Sequence, residues 1–197
     1  MFSFVFFGNS PWLDFVDTEL SHRGESLELL SGFEDLLRWA REAGLIDDAQ
    51  NRAIAEAARG PASRVALMRE ARELRTGLRK AAERLSRGEG PAAALLVRVN
   101  ALLAEQPRAL SLRRSGKGWR LESHGPMSGP RAILARVAED FARFLARADL
   151  KLVRRCASER CNIFFYDASK NHKRRWCSMD YCGNRAKAAG HRARQAG

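Results

Sequence analysis

Four cysteines, all in the last quarter of a 197-residue chain, constrain the fold more than any other feature of the sequence. They stand as Cys156-x4-Cys161, a gap of fifteen residues, then Cys177-x4-Cys182, and none precedes them. Two close pairs at this separation suit a Zn²⁺ ion. Each pair forms a knuckle that aims two thiolates at one point, and the intervening segment folds back to join them. The 47 residues from Lys151 to Gly197 bury too little apolar surface to fold well alone. A structural Zn²⁺ offsets that with about 10–16 kcal/mol of apparent binding energy, which becomes folding energy. Four protein thiolates leave no open coordination position, so the ion is expected to be structural rather than catalytic.

Other chemistries suit the same residues less well. Disulfides fit poorly with a long cysteine-free body and with the absence of a recognisable secretion signal. A redox pair is normally Cys-x-x-Cys beside a βαβ unit, which the pattern lacks. A Cys₃His site using His172 or His191, and an iron–sulfur cluster, stay open behind the favoured Cys₄ zinc site.

Charge divides the chain at the same place. The net charge is +12, with 35 Lys+Arg against 23 Asp+Glu. A GC-rich genome could produce that total through arginine alone, so position is more informative. Residues 151–197 carry 12 basic and 3 acidic side chains, a net of +9, whereas residues 1–150 carry only +3. A genome-wide bias would not concentrate charge in this way. The expected organisation is a mainly helical domain over 1–150 and a zinc module over 151–197.

The body reads as helices. Ser31-Gly32-Phe33-Glu34 resembles a capping box, and Phe33, Leu36, Leu37 and Ala40 form an apolar stripe ending before Gly44. Asp47 or Asp48 caps a second helix. A third runs from Pro61 with Leu67, Ala71, Leu74, Leu78, Ala82 and Leu85 at helical spacing and stops at Arg87-Gly88. Pro91 opens another, and Pro130 opens the last long one. Ala109–Arg114 and Trp119–Ser123 flank Ser-Gly-Lys-Gly as a hairpin, and Phe2–Phe7 reads as a strand. Met1–Phe7 lacks a basic flank and a small-residue cleavage site, and no apolar run approaches membrane-spanning length. A cytoplasmic protein, away from membranes, is expected.

No nucleotide-binding loop, Gly-x-Ser-x-Gly or His-Glu-x-x-His motif is present, and no enzyme is expected. Asp14, Asp17, Thr18, His22 and Arg23 form one polar cluster that could line a ligand pocket. Capping a turn and pairing with one another is the favoured reading.

Within the zinc module, Asn162–Tyr166 reads as a strand, Ser169–Arg175 as a basic turn, and Arg174–Cys177 as the returning strand. A helix opens at Cys182. Knuckle, hairpin and helix make a treble-clef-like plan, with thiolates at the favourable end of the helix dipole. Lys187, His191 and Arg194 share one helical stripe, and Arg185 and Arg192 another. With Lys170, Lys173, Arg174 and Arg175 they form a basic surface suited to phosphates; a solvated face is the alternative. Asn184 and Arg185 suit base edges, and Trp176 suits either the module core or a stacked base.

Arg174-Arg175-Trp176-Cys177-Ser178-Met179-x-x-Cys182-Gly183-Asn184-Arg185-x-Lys187 resembles the CGNR zinc-finger family, as do Arg155-Cys156-x4-Cys161 and Phe165-Tyr166-Asp167-x-Ser169. Leu13-Asp14-Phe15-Val16-Asp17-Thr18 and Leu36-Leu37-x-Trp39-x-x-x-Ala43-Gly44-Leu45 resemble the ABATE domain that commonly precedes that finger. Asp17 stands where the family usually has Asn. The resemblance implies a stress-related, zinc-dependent transcription regulator with Cys156, Cys161, Cys177 and Cys182 as ligands and a finger that faces DNA. The N-terminal domain would then sense a small-molecule effector or form a homodimer. RNA binding, or a zinc-clipped protein-interaction module, are the alternatives.

Overall fold

The computed structural model describes residues 3–22, 25–105, 109–115, 118–124 and 129–195. The described residues are mainly helical, with three two-stranded antiparallel sheets among them. In order it runs α1 (Pro11–Val16), β1 (Glu19–His22), β2 (Glu25–Glu28), α2 (Phe33–Glu42), α3 (Asp48–Ala57), α4 (Pro61–Ser86) and α5 (Ala93–Ala104). The hairpin β3 (Ala109–Ser115) and β4 (Gly118–His124) precedes α6 (Ala132–Arg147). A 3-10 turn at Leu150–Leu152 leads into β5 (Val153–Arg155) and β6 (Phe164–Tyr166), then one π-helical turn (Met179–Gly183) and α7 (Asn184–Gln195).

The long helices form where the apolar spacing places them. The cap of α2 differs in detail from the sequence pattern. Asp35, not Glu34, accepts from the Ser31 and Gly32 amides, at 3.1 and 3.3 Å, and Glu34 instead pairs with Arg64 at 3.0 Å. Asp47 caps α3 by accepting from the Gln50 amide at 2.8 Å, and Gly44 takes the left-handed conformation (φ 69°) that ends α2.

Three elements depart from expectation. Of the expected strand, Phe2 lies outside the described residues, and residues 3–7 pair in no ladder among those described. The turn after them is a six-residue helix, α1, too short to hold itself in water. Its N-terminus is satisfied from α6: Asp140 accepts the Trp12 amide at 2.9 Å and the Ser10 hydroxyl at 2.8 Å. Strand β6 pairs with β5 in the register Val153 to Tyr166, not with residues 174–177. The backbone at Arg175 instead accepts one bond from the Ala157 amide, at 2.8 Å.

α1 lies between α4 and α6 with Trp12, Leu13, Phe15 and Val16 fully buried. Trp12 meets Phe141 and Phe144 edge-on at 5.0 and 5.4 Å, and Phe144 meets Tyr166 of β6 at 5.2 Å. Val153 and Phe164 belong to this same core. The cysteine module is therefore seated in the helical body, with one of its phenylalanines inside it. No helix among the described residues is long and apolar enough to cross a membrane.

Candidate functional site

Each cysteine is placed by a short backbone device. The Cys156 amide donates to Ile163 O at 2.9 Å, closing the first knuckle, and the Cys161 amide donates to Ser158 O at 2.9 Å within it. The Ala157 to Arg175 bond brings the second pair alongside. Ser178 then caps the π-turn by accepting the Asp180 and Tyr181 amides, so that Cys182 enters one turn before α7.

All four sulfurs are buried and lie within 4.8 Å of one another, with no disulfide among them. Cys161 and Cys177 Sγ are 3.8 Å apart, and Cys177 and Cys182 Sγ 3.6 Å. Four sulfurs at about 2.3 Å from a tetrahedral Zn²⁺ sit about 3.8 Å from each other. The donor set and spacing thus fit one structural zinc ion held by Cys156, Cys161, Cys177 and Cys182. As thiols the group is electrostatically crowded. Hydrogen bonds from Cys161 and Cys177 hold the acceptor Cys156 low, and the same bonds push Cys161 and Cys177 up. A divalent cation removes that conflict by taking all four as thiolates.

Arg174 braces the metal site. Its guanidinium donates to the carbonyls of Cys177, of Trp176 at 3.1 Å and of Phe7 at 2.9 Å, and lies 4.1 Å from the Phe165 ring centroid. Of the basic residues expected on the nucleic-acid face, this one is spent on the interior. Asp167, fully buried, organises the loop that carries the others. It accepts from the Ser169 amide and hydroxyl and from the Arg174 amide, and pairs with Arg154 at 3.3 Å. Burial alone would raise its carboxyl, but these donors outweigh that and hold it below the usual range.

Lys170, Lys173, Arg175, Asn184, Arg185, Lys187 and Arg192 are all exposed. The side chains of His191 and Arg194, on α7, lie outside the described residues. Arg175 stands 5.3 Å from the Trp176 ring and Arg185 5.2 Å from that of Tyr181. Lys173, Arg175 and Lys187 converge on one groove of about 670 Å³. Its remaining walls include Phe6, Phe7, Trp176 and Met179, and no Asp or Glu lines it. Lys170, Asn184, Arg185 and Arg192 do not line it. Sequence reasoning missed the Phe6–Phe7 wall. Read as a strand, those residues should pair with another strand rather than face the finger.

The Asp14–Asp17–Thr18 cluster is buried and occupied from within. Asp14 Oδ1 accepts the Gly8 amide at 2.8 Å; burial, the largest cause, pushes its carboxyl up to about 6. Asp17 Oδ1 accepts the Phe164 amide at 3.2 Å, and burial raises this carboxyl well above its ordinary value. Thr18 donates to Phe15 O at 2.7 Å and accepts from Arg75 at 3.0 Å. These side chains seat the N-terminal segment and β6 instead of lining an open concavity. Arg23 and the His22 side chain lie outside the described residues.

Comparison with curated proteins found no match. Comparison with family models found two. Residues 153–195 match the CGNR zinc finger, and residues 9–148 match ABATE, described as "putative stress-induced transcription regulator". With four buried cysteines at zinc-ligand spacing, this architecture is that of a zinc-binding protein. The chain belongs to the ABATE family and carries a CGNR zinc finger after that domain.

Proposed function

We propose that this chain is a non-enzymatic, cytoplasmic, stress-related transcription regulator whose zinc module binds DNA. The observation that supports this best is the acid-free groove on the zinc module, where Lys173, Arg175 and Lys187 converge beside exposed aromatic surface. Phosphate neutralisation with counterion release is the natural use of such a surface. In this reading Cys156, Cys161, Cys177 and Cys182 hold the zinc, which fixes the module and takes no part in chemistry. The helical body senses an effector or forms a homodimer, which would give a single small module the footprint that specific recognition needs.

Genome-wide crosslinking and capture of the full chain tests the proposal. Discrete DNA sites, lost in Cys177→Ser, are expected. Recovery dominated by RNA, or a signal that persists without zinc, would contradict it.

A further inference from the structure

Resting on that reading, we infer that the groove takes a single unstacked nucleotide, its base on Phe6 and Trp176 and its phosphates on the cations beside it. Two adjoining concavities carry the inference. The first is the groove already described, with Phe6, Trp176 and Met179 among its walls. The second, of about 360 Å³, is lined by Lys151, Arg154 and Arg155 and again by no acid. Arg174 and Arg175 line both and so form the ridge between them. A basic groove with aromatic walls, beside a second concavity lined by four arginines and a lysine, matches a nucleotide, whose base has an apolar face and whose phosphate is charged.

The groove's wall is fixed before any ligand arrives. Phe6 is 40% exposed and Met179 48%, unusual positions for such side chains. Tyr181, also exposed, meets Phe7 at 6.0 Å beside them. Yet the three residues after Phe6 are held by four hydrogen bonds. Arg174 donates to Phe7 O, the Gly8 amide donates to Asp14, the Tyr166 amide donates to Gly8 O at 2.8 Å, and Asn9 Nδ2 donates to Tyr166 O at 2.9 Å. Gly8 is required for this approach, because a Cβ there would stand 2.6 Å from Leu13 Cβ. An exposed ring on a rigid wall loses little entropy when a base stacks on it. The site is also composite. Phe6 comes from ahead of the ABATE match and Trp176 from the finger, so neither part alone forms it.

The test uses the zinc-loaded full chain and three labelled probes: a short duplex, the same duplex with a one-nucleotide bulge, and its single strand. The bulged duplex and single strand are expected to bind about tenfold more tightly than the intact duplex, the worth of one stacked base. Phe6→Ala should erase that preference, bringing the bulged duplex and the single strand down to the affinity of the intact duplex, with zinc content unchanged. Phe6→Leu, which keeps the apolar bulk, should erase most of it and guards against a folding effect. Arg155→Ala should weaken all three probes and flatten their salt dependence. Equal binding of intact and bulged duplex, with Phe6→Ala silent, overturns this inference and leaves DNA binding standing. Failure of every probe to bind overturns the function proposed above instead.

Discussion

The Asp17 carboxylate, on the turn after α1, accepts the Phe164 amide of the zinc module at 3.2 Å across 147 positions of sequence. Its other oxygen, Oδ2, is buried and has no hydrogen-bond partner. Burial raises this carboxyl well above its ordinary value, and its acceptor oxygen is what the fold uses. Asn offers the same acceptor without the charge. Asp17→Asn is therefore expected to retain the fold and raise Tm at pH 8, with a smaller gain at pH 5. Asp17→Leu removes the acceptor and should cost about 1–3 kcal/mol, the penalty of an orphaned buried amide. Thermal denaturation of the three proteins checks both.

Asp14 makes a second pH-dependent contribution. Its folded carboxyl titrates at about 6, above the 3.8 of the free group. The stability tied to it is fully present below pH 4 and is lost as pH rises through 6. Asp14→Asn keeps an acceptor for the Gly8 amide and removes the charge. Its stability relative to the parent chain should rise between about pH 4 and pH 7, by up to about 3 kcal/mol for roughly two pH units. Carbon NMR of the Asp14 carboxyl should give the midpoint directly.

Removing the metal should be felt in both parts of the chain. Cys177→Ser leaves three thiolates, and zinc content should fall from one ion per chain towards none. Because Val153 and Phe164 lie in the helical core, loss of the module also loosens β6 against α1. Far-UV circular dichroism should keep most of its helical signal while Tm drops. Phe164→Ala, with zinc chemistry untouched, should cost about 3–5 kcal/mol.

Neutralising Asp167 should uncouple the basic loop from the metal site. Asp167→Asn loses the Arg154 pair but keeps bulk, and is expected to cost about 1–3 kcal/mol as a charged hydrogen-bond network is broken. Since the folded carboxyl sits low, the stability it contributes is present at neutral pH and lost as pH falls through its folded value. The penalty of the variant should therefore shrink in acid.

Much of this was legible in the sequence, and the gaps share one physical cause. The stripes of α2, α4 and α6 announce themselves because helix periodicity is local, and the four cysteines because ligand spacing is local. α1 escapes notice because its cap is Asp140, far along the chain. The partner of β6 is hidden because the sequence around it suggests a hairpin with residues 174–177, whereas the ladder closes back to Val153 before the first cysteine. Arg174 looks like its neighbours in a basic run, and only the fold shows that it braces the Cys177 carbonyl. Phe6 carries no signal of its own, since an exposed aromatic and a core one read alike.

The most direct test of a zinc-ordered, phosphate-binding surface is the salt dependence of duplex binding by the zinc-loaded chain, compared with Lys173→Ala/Arg175→Ala/Lys187→Ala. Affinity of the parent chain should fall steeply with salt, and the slope should shrink by about 0.9 for each phosphate contact removed. Binding that barely responds to salt, or a variant indistinguishable from the parent with its zinc intact, would contradict the account.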